Sequence, residues 1–458
     1  MNFSLPIEYR CVLPRFYRLA SVSVLSNMMV PLAGLCDTAF LGHLKDIRYL
    51  AGVILGSILF DYLYRVLKFI RSGTNAITAQ AVGRDDKEGV LLAILRSGLI
   101  ALCIGFIILI LQYPIEKIGF ILLSGSPEIE ASGIDYFHAR IWGAPAVLLN
   151  FVFIGWFLGR EMKAAIFLLS FVGNFSNVGL DYFMIYRWGW ESTGAGLATA
   201  ISQYLALFVA VIFMVFNIKW DGILEIGKKV LNLVELKSIL VLKGNILMRF
   251  LALISAYSIF TNLSALLGTE ILAADGLLLQ IALLSQFTIQ GIGMTTQTLT
   301  GNFKGKGTTE QIMPLLILSI INSLIIASIF ALTPFLFPKT VFNLLTDHQE
   351  ISQTAIEYTL WLLPLLCLTA TAFMLEAYFI GLKEGSILRN GVLRAFFIGF
   401  LPLAIMSYFW QNNHLLWSGL TAYMATLMIT LFLQLPKVQK NNVLQFQASE
   451  SKINTINS

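Results

Sequence analysis

Polar positions are sparse along this chain, and they come in clusters. Between the clusters run long apolar stretches, each the length of a membrane-crossing helix, which needs about 20 mostly apolar residues. Twelve such stretches are countable, at 17–42, 49–81, 90–112, 133–158, 162–186, 192–217, 238–268, 271–301, 311–337, 352–381, 385–410 and 414–435. The pattern predicts an all-α polytopic membrane protein with twelve transmembrane helices. The last residues, KVQKNNVLQFQASESKINTINS, are polar enough to read as a disordered tail.

Composition agrees with the pattern. Apolar residues make up 57% of the chain and charged residues 12%, against about 25% charged in soluble domains. A soluble chain of this length cannot bury so large an apolar fraction. MNFSLPIEYR carries no recognisable cleavable signal. Cys11, Cys36, Cys103 and Cys367 are scattered without a CxxC spacing, so neither a disulfide framework nor a zinc site is expected, and no cofactor is implied. The net charge of +5 fits basic cytoplasmic loops rather than nucleic-acid binding.

With the amino terminus placed in the cytoplasm, nineteen Lys and Arg fall on the inner side, five on the outer side and seven within spans. Positive residues favour the inside, so both termini are expected there. The most basic connection divides the chain into an amino-terminal six-helix bundle (1–217), a connecting loop (218–237), a carboxy-terminal bundle (238–435) and a tail (436–458). The halves resemble each other. Gln80 falls opposite Gln297 and Gly83 opposite Gly301; WGAP (142–145) faces WLLP (361–364); FLGREMKAA (157–165) faces FIGLKEGSI (379–387) with a slip of about three residues. Six spans per repeat is an even number, so both halves insert the same way round, giving a parallel repeat.

The polar residues inside spans are the candidates for function, because each costs on the order of 3 kcal/mol in lipid. Asp37 lies in the run PLAGLCDTAFLGHL, six residues after Pro31. Pro31 removes a helix hydrogen bond and permits a kink, and a carboxylate beside a kink can couple its protonation to helix shape. In SFVGNFSNVGLD, residues Ser170, Asn174, Asn177 and Asp181 share one helix face. Thr199 and Gln203 form a similar pair on the next span. Oxygen ligands of this kind suit a hard cation; interhelical hydrogen bonding is the lesser alternative for the asparagines. Asp61, Arg65, Lys68 and Ser72 line one face of the second span, with Asp61 and Arg65 spaced to pair. In the second half the deep charges are Glu376, Arg249 and Arg394, and Glu376 is placed to pair with one of the arginines. Thirteen methionines and many aromatics offer adaptable apolar surface, although core filling and lipid contact explain most of them.

PLAGLCDTAFLGHL, ITAQAVGRDD, NVGLDYFMIY and GWESTGAGLATAIS together resemble the multidrug and toxic compound extrusion (MATE) transporters. RSGTNAITAQAVG is most similar to the DinF-like branch. The resemblance covers about residues 12–435. It implies two six-helix bundles, alternating access, and export of amphipathic, often cationic drugs in exchange for protons or sodium. Matched residue by residue, Asp37, Asn177, Asp181 and Thr199 take the family's cation-coupling positions, which become metal ligands only if the ion is Na+. The kinked first helix corresponds to the segment at Pro31. Glu376 matches an acidic position of the tenth span. Gln290 and Gln297 stand where branch members carry acids, and Arg65 and Lys68 depart from the family pattern in a way that bears on substrate charge.

The reading is a secondary active multidrug exporter of a bacterial plasma membrane. Its partners are small-molecule drugs, H+ or Na+ and the lipid bilayer; it is expected to be a monomer that binds no nucleic acid. Asp37, Asn177, Asp181 and Thr199 form the leading site, with Asn174, Gln203, Glu376, Arg65 and Lys68 as secondary candidates. The alternative is a flippase of a lipid-linked envelope precursor, to which the cationic residues Arg65, Lys68, Arg249 and Arg394 would contribute. A membrane enzyme is not expected: there is no HExxH, and His43, His138, His348 and His414 are not closely paired.

Overall fold

A computed structural model describes residues 7–42, 46–123, 126–218, 223–346 and 348–440 of the 458. Among the described residues there is no strand. Helices span Arg48–Gly83, Lys87–Ile110, Pro127–Gly159, Lys163–Arg187, Glu191–Asn217, Leu233–Leu267, Thr269–Lys306, Thr309–Leu336, Gln349–Gly381, Gly385–Trp410 and Asn413–Lys440, and all eleven are long and apolar enough to cross a membrane. Ile7–Gly42, a helix of 36 residues, fills the place of the first expected span and runs unbroken through Pro31. These twelve are spans one to twelve below. Starts are set by side-chain caps where the sequence offers one. Asp86 accepts from the backbone N–H of Gly89 at 2.7 Å before span three, and Asn412 accepts from that of His414 at 2.8 Å before span twelve.

The two halves share their irregularities, and this makes the repeat visible in the backbone. Span four is interrupted by a 3-10 turn at Ile141–Gly143 and span ten by one at Thr359–Trp361, each at the Trp…Pro segment that the sequence matches. The π-helices are not matched in the same way: Tyr182–Arg187 ends span five, whereas Ala395–Phe400 lies in the middle of span eleven. Left-handed residues come in corresponding places too: Asp85 and Gly307 after spans two and eight, Glu161 and Lys383 after spans four and ten, and Glu191 and Gln411 at the entries to spans six and twelve. Five of these six are not glycine, so each carries backbone strain that the surrounding packing must hold.

Helix packing corrects one register. A Cβ on Gly159 would lie 2.6 Å from the Cβ of Thr78, and one on Gly381 would lie 3.0 Å from the Cβ of Thr300. These are the same close approach, span four on two and span ten on eight, where only glycine admits the neighbouring chain. They equate Thr78 with Thr300, one helical turn beyond the alignment of Gln80 with Gln297 and Gly83 with Gly301. Uniform apolar composition leaves a one-turn slip inside a helix pair undetected; the paired contacts remove it.

The described chain divides into two compact units. The amino unit holds Leu25–Val82 and Asp86–Leu240. The carboxy unit holds Gly83–Asp85, the chain from Val241 on, and the segment up to Val24. The start of span one therefore groups with the second half: the Thr295 hydroxyl lies 3.4 Å from that of Ser23, and Arg15 stands 5.3 Å over the Phe303 ring. The connection between the halves includes a short helix, Ile223–Val230, fixed to the amino unit by charge. Buried Arg96 donates to Glu235 at 2.7 Å and to the Lys229 carbonyl at 2.9 Å, while Lys229 reaches Glu88 at 2.8 Å.

Candidate functional site

Span five carries the polar stripe of the amino unit. Asp181 is 0% exposed and Asn177 is 6% exposed, so both occupy the packed face and not the lipid side. Asp181 is the last α-helical residue before the π-helix Tyr182–Arg187. A π segment widens the turn by one residue and occurs often at functional sites. Here it places an irregular turn directly beside a carboxyl group at membrane depth.

Asn177 of span five faces Thr199 of span six, its amide nitrogen 3.5 Å from the threonine hydroxyl. The Thr199 hydroxyl donates to the Ala195 carbonyl at 3.0 Å. Thr199 Oγ1 thus spends its hydrogen on its own helix and keeps its lone pairs for a neighbour. Ser170 meets Ser26 of span one through their hydroxyls, which brings the first span against the stripe. Asn174 turns its amide to the Ser170 carbonyl at 2.7 Å and serves its own helix. Gln203 belongs to a different contact: Asn150 of span four donates to its carbonyl at 2.9 Å and to its side-chain oxygen at 3.1 Å. Asn177 and Thr199 are therefore brought together, with Asp181 one turn further along the buried face of span five, whereas Asn174 and Gln203 act as helix-to-backbone and interhelical ties. Asp37 lies on span one within the helix Ile7–Gly42, and its side chain falls outside the described residues.

Span two is interrupted at Lys68, between the helices Ile47–Leu67 and Phe69–Gly83. Arg65, Lys68 and Arg71 are half-buried along it, and Arg71 reaches Asn27 of span one at 3.5 Å. The expected Asp61–Arg65 pair is not made: no ion pair joins them, and Asp61 is exposed. An i,i+4 pair contributes only about 0.3–0.5 kcal/mol, too little to hold a long side chain in place. Beside it, Arg140 of span four bonds the Tyr136 hydroxyl and lies 4.7 Å from the Phe60 ring centre.

In the carboxy unit Glu376 is 2% exposed, and its Oε2 is 2.6 Å from Nη2 of Arg249. The alignment is poor for a hydrogen bond, so the attraction is chiefly electrostatic. Arg249 is sandwiched by Phe250 and Phe373, each ring centre 5.0 Å from its guanidinium. Arg394 is exposed. Sequence reasoning missed Asp275, which is buried near the start of span eight and bonded by Ser264, Asn413 and Trp417. The signal was an aspartate in an apolar run, AADGLLL, masked by its nearness to the expected helix end. Among the described residues no group of three or more His, Cys, Asp or Glu is disposed to hold a metal.

Comparison with known proteins agrees with this architecture. The MatE family model matches residues 23–183 and again 246–410, once in each half. The chain is similar to the DNA damage-inducible protein F of Escherichia coli (strain K12), 30% identical over 409 residues and 89% of either chain. It is 24% identical to the probable multidrug resistance protein NorM of Thermotoga maritima, over 73% of this chain and 72% of that one. Its fold matches the outward-facing conformation of a multidrug resistance MATE family transporter of the MOP superfamily, with a TM-score of 0.80 and 20% identity over 95% of this chain and 96% of that one. Twelve helices in two repeats, a double match to the family model and relatives along nearly the whole chain have one meaning: the protein belongs to the MatE family, in its DinF-like branch, and is a polytopic membrane transporter.

Proposed function

We propose that this transporter is a secondary active exporter of amphipathic small molecules, cationic drugs among them, driven by protons or Na+ through alternating access. It works in a bacterial plasma membrane as a monomer, with both termini in the cytoplasm. Asp37 and Asp181 take up the incoming ion. Asn177 and Thr199 supply neutral oxygens beside them, which a Na+ ion would use as ligands and a proton would not require. Neutralising the carboxylates lets span one bend at Pro31 and expels substrate from the amino unit. Ion and substrate are coupled because they favour different shapes of one bistable bundle.

The observation that carries this reading is Asp181: a carboxyl group with no exposure, on the helix face of Asn177, which meets Thr199, and at the start of a π-helix. An ionisable group so placed costs stability and persists where it has a task. The relatives named as multidrug resistance proteins support the substrate class. The test is dye extrusion from vesicles under separately imposed pH and Na+ gradients, for wild type and Asp37→Asn. Extrusion driven by pH alone and lost in the variant establishes proton antiport through Asp37. Extrusion only with Na+ makes the oxygen cluster a metal site. Absence of gradient-driven extrusion in wild type overturns the reading.

A further inference from the structure

Asp275 is 1% exposed, and the three side chains bonded to it are all uncharged. Its Oδ1 accepts from Trp417 Nε1 at 2.8 Å and from Asn413 Nδ2 at 2.9 Å, and its Oδ2 lies 2.6 Å from the Ser264 hydroxyl. The three partners come from the end of span seven and the start of span twelve, while Asp275 itself begins span eight. In the proposed orientation all of these lie toward the outside.

We propose that Asp275 is a second proton-binding carboxylate, carried by the carboxy unit and separate from the Asp37–Asp181 site. The partner chemistry selects the ligand. Trp417 Nε1 and Asn413 Nδ2 present hydrogens to the carboxylate, so a metal ion approaching Oδ1 would meet N–H groups. Oδ2 faces a hydroxyl, which both donates and accepts. When a proton binds Oδ2, the new O–H donates to Ser264 Oγ, and the serine hydrogen rotates away to another acceptor. The two N–H bonds to Oδ1 stay in place. Both protonation states are thus satisfied by one side-chain rotation.

A second observation also points to a proton carrier. Asn413 Oδ1 is buried and has no donor, although Asn413 is only 4% exposed. A buried acceptor left unpaired costs about 1–3 kcal/mol, and a water or hydronium arriving there would satisfy it. The titratable groups around Asp275 are few. Tyr358 and Glu357 lie at the start of span ten. His414 follows Asn413, its Nε2 3.6 Å from Glu357, its Nδ1 3.1 Å from Trp361 Nε1 and its ring 4.8 Å from that of Tyr358. Glu270, earlier on span eight, is bonded by Thr354. Span seven contributes Ser264 and the Phe260 ring, 5.1 Å from Trp417. No Lys or Arg ion-pairs with Asp275 among the described residues, so a proton is the only cation the site needs to become neutral. Charge-assisted bonds are roughly twice as strong as neutral ones. Protonation therefore loosens the tie of spans seven and twelve to span eight.

The consequence for transport rests on the exporter reading above; the protonation itself does not. The experiment is infrared difference spectroscopy of the full chain in liposomes, between about pH 4 and 9, a window that spans ordinary and raised carboxyl values. A protonated-carboxyl C=O band is expected to grow as pH falls, to vanish in Asp275→Asn, and to persist in the Asp37→Asn/Asp181→Asn double variant. Ser264→Ala, which keeps the carboxyl, should shift the band, and Trp417→Phe should shift it by removal of one donor. An unchanged difference spectrum in Asp275→Asn overturns the proposal, as does a band insensitive to both Ser264→Ala and Trp417→Phe. In dye extrusion, Asp275→Asn should move the half-maximal pH by about one unit, a tenfold change in proton affinity; an unmoved profile overturns the coupling role. If wild type shows no gradient-driven extrusion, the exporter reading fails and the infrared result still decides the site.

Discussion

The two units use one fold and one set of helix breaks, but they treat their deepest acids differently. In the carboxy unit Glu376 is matched by a resident guanidinium, Arg249, held 2.6 Å away between two phenyl rings. In the amino unit Asp181 shares its helix face with Asn177, Asn174 and Ser170, and Asn177 on that face meets Thr199 of span six. Under the proposed function the difference separates a fixed charge from an exchangeable one. A tethered arginine cannot leave, so Glu376 stays compensated through any cycle. In the proposed mechanism the neutral oxygens of Asn177 and Thr199 leave room for an ion to come and go at Asp181. A buried acid is therefore not a coupling site by itself, and the kind of partner decides.

Five substitutions would break or sharpen that contrast. Asp181→Asn should have the largest effect, reducing gradient-driven dye extrusion more than tenfold, which is over about 1.4 kcal/mol of coupling, with expression retained because the side chain keeps its shape; wild-type extrusion in this variant would end the contrast. Arg249→Met should act on stability first. It strands a buried carboxylate at a cost of about 3–5 kcal/mol, read as a lower unfolding temperature in detergent. Adding Glu376→Gln to it should restore most of that loss and leave extrusion intact; a stable double variant that no longer exports would make the carboxy pair part of the coupling machinery. Thr199→Val removes one hydroxyl at constant volume and should weaken the apparent affinity for the driving ion several-fold, on the order of 1 kcal/mol, with a smaller effect under a pH gradient than under a Na+ gradient if oxygens ligate the ion. Glu235→Gln should be the mildest. Its carboxylate is more than half exposed, so the lost pairing with Arg96 is worth no more than about 1 kcal/mol, visible as increased proteolysis of the Ile223–Val230 connection without loss of the amino-unit site.

Much of the fold was legible because lipid imposes a coarse rule. An apolar run of span length must be a helix, and each of the twelve runs is one. The repeat was legible at WGAP and WLLP, where a tryptophan and a proline mark a helix break. It slipped by a turn at Gln80 and Gln297 because apolar and small residues recur too evenly there to fix register, and the glycine contacts at Gly159 and Gly381 were needed. The polar stripe on span five was legible from its spacing alone. What could not be read were partners. Nothing in the order of residues says that Gln203 would be spent on Asn150, that Asp61 would stay apart from Arg65, or that Arg249 rather than Arg394 would meet Glu376. Those are matters of which helices touch and at what height. Asp275 was passed over for a related reason: nearness to the end of a span suggests water, whereas the surrounding helix ends close over it.

The matched left-handed turns carry a historical consequence. Glu161 follows span four and Lys383 follows span ten, each with positive φ, at the same spacing that relates Gly159 to Gly381. The same strained turn thus carries an acid in one half and a base in the other. A residue other than glycine held in the left-handed region is uncommon, and two independent occurrences at corresponding places would be rarer still. One ancestral six-helix unit that already contained the turn, then duplicated and fused, accounts for both. On that history the turn came first, and the charge upon it diverged after the copies parted.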